Sequence, residues 1–467
     1  MSEKLKNVTY SFPFSIFFCQ KSRKNSLTKT LYSFLGVFAI LLSGCSGSAI
    51  TPPSESTVNN PPPTTVKFWT YCTTPERDQD FLRFQQLLKE KNPEIKLEYL
   101  GLPGDSSTFM QKLDVAIASD TAPDFTDFYD SKYIKYGFYE PLDAFYNTWS
   151  ERDTLGSAAI AQARAYDPKQ HRLYTLPFSM QPWGMWVRPD QLQSVGLSVP
   201  QTWEELFTAA QTLTNRENDR YGIALRGGPG SSNTLEALMY AYSGIPNYFD
   251  KNGNCTINNP LHVEFVQKYL GLYNRYSAQD DLVKGWTQLT ASFQAGKAGI
   301  IFHNFGSGTS IATAFYGDQT RYRAAVFPKA KDSGKQMRFV AMRSVSMNSK
   351  SKVKDAAFQA MTLYCSAEVQ IPRCKTQGEV PVCLDANLAA GKPDERPDYL
   401  LLAEKIVAGK DGSAQIMAPV YLPQYSEIQA QMEPKIQKVM TGSLSANDML
   451  EQWASLLEAA KRDFERT

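Results

Sequence analysis

The chain has 467 residues, a formal net charge of +2, and 42% hydrophobic against 21% charged residues. Those fractions are those of a folded globular protein, and the near-zero charge argues against nucleic acid as the main partner, because phosphate binding needs a basic surface. Seven cysteines and three histidines, with no CxxC spacing, argue against a structural zinc site.

Lys21, Arg23, Lys24 and Lys29 precede Leu35-Gly36-Val37-Phe38-Ala39-Ile40-Leu41-Leu42, a run with no polar side chain, and Ser43-Gly44-Cys45 follows it. A basic segment, a short apolar core and small residues make a secretory signal. The run is too short to cross about 30 Å of hydrocarbon, which takes roughly 20 residues. Leu42-Ser43-Gly44-Cys45 resembles a bacterial lipobox. The resemblance implies cleavage before Cys45 and acyl chains on it, each buried CH₂ holding the protein to a membrane by about 0.8 kcal/mol. Residues 1–44 then form the signal peptide. Residues 45–65, with Pro61-Pro62-Pro63, form an extended tether. No later apolar run is long enough to span a membrane. Of the five cysteines left, Cys72, Cys255, Cys365, Cys374 and Cys383, the last three are close enough in sequence for one local bridge. An exported chain permits disulfides, and the odd number leaves at least one thiol free.

About 420 residues remain beyond Cys45, too many for one ordinary core, so two lobes are expected. Val66-Lys67-Phe68-Trp69-Thr70 reads as a strand. Thr74-Pro75-Glu76 opens a helix with Phe81, Phe84, Leu87 and Leu88 at helical spacing, and Asn92-Pro93 ends it. Ile95, Leu97 and Tyr99 alternate as a second strand, a helix carries Phe109, Leu113 and Ile117, and a third strand lies near residues 125–128. Strand, helix, strand, helix, strand is the pattern of a parallel sheet with helices on its faces. Ligands of such sheets sit beyond the carboxyl ends of the strands, here residues 70–76, 101–106 and 127–131. An aromatic, twice proline-interrupted stretch follows at residues 174–187. Thr202-Trp203-Glu204-Glu205 is a capping box. A short strand at residues 221–225, an apolar strand at 300–302, a strand-like segment at 338–347, and helices at 355–364 and 447–460 complete the pass. No internal repeat is present.

Taken in order, several motifs are together distinctive: Phe68-Trp69-Thr70, Ala122-Pro123-Asp124, Gly137-Phe-Tyr-Glu-Pro141-Leu142, Leu176-Pro177-Phe178, Pro200-Gln-Thr202-Trp203-Glu204-Glu205-Leu206, Phe293-Gln-Ala-Gly296-Lys297-Ala298 and Gly378-Glu-Val-Pro381-Val382. The chain resembles the bacterial extracellular solute-binding proteins of family 1, the sugar-binding components of ABC importers. The resemblance implies an α/β fold of type II-like, two-lobed periplasmic-binding-protein form, with a hinge between the lobes and sugar held in the cleft. It implies a first lobe at residues 66–175, with part of 295–350 returning to it, a second at 176–294, and a helical part at 351–467 packing mainly on the second. It also implies an exported, monomeric, non-enzymatic protein without cofactor or metal, whose partners are the sugar and the transmembrane subunits of a permease. A sensing role without transport and a membrane-anchored glycosidase are the alternatives.

A sugar presents C–H faces and a rim of hydroxyls, so its site needs flat aromatic platforms beside strong directional donors and acceptors. Trp69, Tyr71, Trp183, Trp286 and Phe305 are the candidate platforms. Glu76, Asp127, Asp130, Gln181, Asn304 and Arg343 are the candidate polar contacts, each at an expected strand end or cleft-facing loop. Trp203 and Trp453 read as core residues and His303 as a structural histidine. No cluster of arginines in the sequence favours a phosphorylated sugar over a neutral one.

Overall fold

The computed structural model describes residues 62–71, 73–103, 106–383, 397–409 and 412–466. The signal peptide, Cys45, most of the tether and Cys72 lie outside the described residues, as does the side chain of Glu76. Strand β1 (Thr64–Tyr71) begins two residues before the expected start, and the helix Pro75–Lys91 follows. Thr74 Oγ1 accepts the Arg77 N–H at 3.3 Å, and Pro75 opens the first turn, where its missing N–H leaves no bond unmade. β2 (Ile95–Leu102), the helix Ser106–Ala118 and β3 (Phe125–Thr126) come next, and β1 pairs in parallel with both β2 and β3. The third strand is shorter than expected because Asp130 turns the chain into the helix Ser131–Lys135, its Oδ1 accepting the Lys132 N–H at 2.9 Å.

The stretch with two prolines is one long strand, β4 (Leu176–Val187). Beyond it come β5 (Tyr221–Ile223), β6 (Ala298–Asn304), β7 (Arg323–Ala325), β8 (Met337–Arg338), β9 (Val340–Met347), β10 (Val380–Pro381) and β11 (Ala414–Gln415). The main sheet runs β2-β1-β3-β9-β4-β6-β5, with β7 and β10 also on β4 and a separate β8-β11 pair. β4 changes partner part-way: Leu176 to Pro182 lie against β9, Trp183 to Val187 against β6. Its prolines fall where the ladder is already broken, Pro177 beside a register shift and Pro182 at the change of partner.

The apolar side chains gather in two large cores and one small one. Val66, Phe68, Phe84, Phe125, Leu176, Phe178 and Tyr364 belong to the first. Trp203, Leu238, Phe265, Phe302 and Trp453 belong to the second, so Trp203 and Trp453 are core residues as expected. Leu102, Phe109, Leu113, Phe128 and Tyr133 form the third. The helical C-terminal part contributes to both large cores. The helix Lys354–Tyr364 puts Phe358 and Met361 into the first, while Tyr425–Met440 and Ala446–Arg466 put Met432, Ile436, Leu450 and Leu457 into the second. The Cys255, Cys365 and Cys374 thiols are buried and unbridged, so the local bridge considered from the sequence does not join Cys365 to Cys374. Among the described residues no helix is long and apolar enough to cross a membrane.

The capping box at Thr202 is present with both halves, Glu205 N–H to Thr202 Oγ1 at 3.2 Å and Thr202 N–H to Glu205 Oε2 at 3.3 Å. Thr202→Ala is expected to lower unfolding free energy by about 1 kcal/mol, read as a lower urea midpoint with an unchanged slope.

Candidate functional site

Two joined compartments lie over the point where β4 changes partner. The larger, about 570 Å³, and the smaller, about 320 Å³, share Tyr71, Phe128, Tyr129, Asn233, Ala341, Arg343, Ser426 and Gln429. These residues come from both halves of the chain and from β9 between them. Both volumes fall in the range of about 300–1,000 Å³ usual for small-molecule sites. At the rim the two halves touch: Ser131 Oγ donates to the Leu422 carbonyl at 3.0 Å, and the Lys169 ammonium lies 4.7 Å from the centre of the Phe464 ring.

The floor is a buried charge network. Arg343 reaches Asp127 Oδ2 at 3.1 Å and Glu379 Oε1 at 3.6 Å, and Arg373 reaches Glu379 Oε2 at 3.3 Å. Ser179 Oγ donates to Glu379 Oε2 at 2.5 Å and Gln181 Nε2 to Oε1 at 3.3 Å. Both guanidiniums also lie over rings, Arg343 on Tyr71 at 5.1 Å and Arg373 on Phe178 at 4.5 Å. Burial pushes the Glu379 carboxyl up, but Arg373 and Arg343 outweigh it and hold the group below the usual carboxylate range. Four charges of balanced sign are thus tolerated out of water because each has a partner.

Above that floor Trp183 and Trp286 flank His303, with ring centres 5.8 Å and 6.2 Å from the imidazole. Trp286 is half-buried at the start of the helix Trp286–Gln294, and Trp183 Nε1 is buried with no hydrogen-bond partner. Ser307 Oγ lies 2.7 Å from His303 Nδ1. Burial and the nearby Arg226 hold the imidazole down to about 3, so it is neutral where it lines the smaller compartment. Asp127 Oδ1, Tyr129 Oη and Ser344 Oγ, all in residues lining the larger compartment, are likewise buried without partners. Orphaned polar atoms of this kind are costly unless a bound molecule completes them.

Of the residues singled out from the sequence, Tyr71, Gln181, Trp183, Trp286, Asn304 and Arg343 line the smaller compartment, and Tyr71, Asp127, Asp130 and Arg343 the larger. Two are not brought there. Phe305 is fully buried in the first core, edge-on to Trp186, because a short helical turn directs it inward. Trp69 is half-buried and packs on the third core. Asn304 and Asp130 also cap helical turns, through Gly306 N–H at 3.0 Å and Lys132 N–H at 2.9 Å. Sequence reading missed Tyr129, Arg77, Arg226, Glu379 and the polar face of the helix Tyr425–Met440. Ser426, Gln429 and Glu433 reach the cleft from that helix at spacings of three and four, a signal the sequence does carry. Glu433 Oε1 accepts the N–H of Gly230, whose φ of +80° requires glycine. The fold also gathers Arg77, Arg226 and Arg343 around the smaller compartment, an arginine grouping not visible in the sequence. Another cavity, about 480 Å³, lies beside Asp219 and Lys297, but its ionic groups pair with one another, Lys284 with Asp281 at 2.7 Å and Lys297 with Asp219. Among the described residues no group of three metal-ligating side chains converges.

A two-lobed α/β protein with a cleft over the strands shared by its two cores is the class that this fold defines. The chain matches the family described as bacterial extracellular solute-binding protein over residues 75–371, and it belongs to that family. A mannitol-binding protein of Pseudomonas aeruginosa is 23% identical over 295 residues, 60% of this chain and 65% of that one. A multiple sugar-binding protein of Streptococcus mutans is 20% identical over 194 residues, 42% of this chain and 43% of that one. The chain thus spans less than two thirds of the length of these curated relatives. Among solved structures, an ABC transporter solute-binding protein of Thermotoga lettingae bound with α-D-tagatose superposes with a TM-score of 0.72 at 18% identity, over 85% of this chain and 99% of that one. A solute-binding protein of Agrobacterium vitis with bound D-mannitol gives 0.65 at 18% identity, over 86% and 98%.

Glu236, on the helix Ser231–Ser243, fixes the cleft-lining helix through Tyr425 Oη at 2.8 Å and Gln429 Nε2 at 2.6 Å. Burial pushes its carboxyl up to about 8. Below about pH 4.5 folded and unfolded forms are both protonated; between there and about 8 only the folded form keeps the proton, so stability falls as pH rises through that window. Glu236→Gln is expected to remove that slope, of order a few kcal/mol. Denaturant titrations at pH 5 and pH 8 read it directly.

Proposed function

We propose that this protein captures a sugar or related polyhydroxy solute between its lobes and delivers it to the membrane permease of an ABC importer. The observation that carries the reading is the pairing of aromatic faces with orphaned polar atoms in one cleft, Trp183 and Trp286 beside Asp127 Oδ1, Tyr129 Oη and Trp183 Nε1. The rings take the C–H faces of a sugar, and Gln181, Asn304, Asp127 and Arg343 take its hydroxyls. No covalent step is involved. Binding energy closes the lobes about β4 and β9, and the closed form is the one that docks on the permease. Membership of a solute-binding family, and relatives named for mannitol and multiple sugars, support sugar capture over the glycosidase alternative.

A thermal-shift screen of residues 46–467 against mono-, di- and oligosaccharides and polyols tests it. A binder at about 100 times its dissociation constant stabilises the fold by about 2.7 kcal/mol. Trp183→Ala is expected to weaken the hit at least tenfold, about 1.4 kcal/mol, with the fold retained. Unchanged affinity in the folded variant removes Trp183 from the site.

The same reading places the protein outside the cytoplasm, held by lipid on Cys45. Cys45→Ser is expected to move it from the membrane fraction to the soluble fraction and abolish incorporation of labelled fatty acid. A variant that stays membrane-bound and labelled contradicts the anchor.

A further inference from the structure

The buried polar atoms without partners are divided between the two compartments. Trp183 lines the smaller only, Asp127 and Ser344 line the larger only, and Tyr129 lines both. Trp183 Nε1, Asp127 Oδ1, Ser344 Oγ and Tyr129 Oη are the atoms concerned. Asp127 and Ser344 are each 2% exposed, so bulk water does not satisfy them. One sugar ring against Trp183 leaves the Asp127 and Ser344 atoms unmet, and one ring in the larger compartment leaves Trp183 Nε1 unmet. Either remainder is costly. The smaller compartment, at about 320 Å³, already falls in the range of a whole small-molecule site, and a further 570 Å³ or so lies beside it.

The larger compartment carries both kinds of group that a sugar ring needs. Tyr129 and Tyr166 stack there, ring centres 4.2 Å apart and planes 20° from parallel, a rigid platform that costs little entropy to hold. Gln162, Asn247, Ser344 and Gln415 line it and are absent from the smaller compartment. Phe249, Met342 and Val420, in the same lining, suit the C–H faces of a ring. The compartments meet at Tyr71, Tyr129 and Arg343. The larger one continues outward through Ser131, Tyr166 and Tyr421, which also line a pocket of about 280 Å³ at the rim. That path is long enough for a chain of rings, and a single ring fills only part of it.

We propose that the solute is an oligosaccharide of at least two units. One ring is held at Trp183 and Trp286. The next lies in the larger compartment against Tyr129, with Tyr166 stacked behind it and Gln162 and Ser344 bonded to its hydroxyls. This rests on the sugar-capture reading above and names the substrate class for the same cleft.

The test is calorimetric titration with matched mono-, di- and trisaccharides of glucose, in both α- and β-linked series, and of xylose, mannose and galactose. In the series that binds, the disaccharide is expected to be at least tenfold tighter than the monosaccharide, about 1.4 kcal/mol, and the trisaccharide no weaker than the disaccharide. The double variant Gln162→Ala, Ser344→Ala removes two polar groups from the larger compartment and none from the smaller. It is expected to bind the disaccharide about tenfold more weakly, two hydrogen bonds being lost, and the monosaccharide within about twofold of the native protein. Should the variant fail to fold, the chain-length series on the native protein decides the question alone. A disaccharide no tighter than its monosaccharide overturns the oligosaccharide while leaving sugar capture intact. A disaccharide gain that the folded double variant keeps in full overturns the place given to the second ring. Silence from every series overturns both readings.

Discussion

The cleft depends on one buried ionic arrangement, Arg343 held between Asp127 and Glu379, with Arg373 behind Glu379. Asp127 follows β3, Arg343 lies on β9, Ser179 and Gln181 lie on β4, and Glu379 precedes β10. Four strands therefore meet at one charge cluster, beneath the place where β4 changes partner. An unpaired charge there costs several kcal/mol, so the strand ends are held in register by electrostatics as well as by the ladder. The same network aims Gln181 and Arg343 into the cleft, so the geometry of the floor and the geometry of recognition are not separable.

The cleft above combines rigidity with a break between two cores. β4 belongs to both, Phe178 packing in the first and Met185 in the second. A movement of one half against the other has to pass through β4 and β9, and it has to part the contacts of Ser131 with Leu422 and of Lys169 with Phe464. A solute bound there would add partners on both sides of that break and would favour closure by its differential contacts with the two arrangements. Asp127 Oδ1, Tyr129 Oη and Trp183 Nε1 line that break and are buried without hydrogen-bond partners.

Much of the fold was legible because local rules and tertiary packing agree. The Thr74 and Thr202 caps, the alternation of Ile95 and Leu97, and the stripe through Leu450, Trp453 and Leu457 each point the same way in sequence and in space. The site was legible at strand ends, as with Tyr71 and Asn304, whereas Gln181 and Trp183 lie mid-strand in β4, where it changes partner. Phe305 misled because position in a loop does not determine direction: one helical turn sends its ring into the core. Trp69 misled because it shares a strand face with Tyr71 but lies two residues further from the open end. Glu379 and the Ser426, Gln429 and Glu433 face are brought in from more than 190 residues beyond Tyr174 and the strand after it. No local pattern says which distant helix will close over a sheet edge.

The most direct test of the account is the structure of the protein in complex with the sugar that stabilises it. The sugar ring is expected against Trp183 and Trp286, with its hydroxyls donating to Asp127, accepting from Arg343 and bonded to Tyr129, and with both halves of the chain in contact with one molecule. A solute bound elsewhere, for example in the cavity beside Asp219 and Lys297, with the cleft empty, would contradict it.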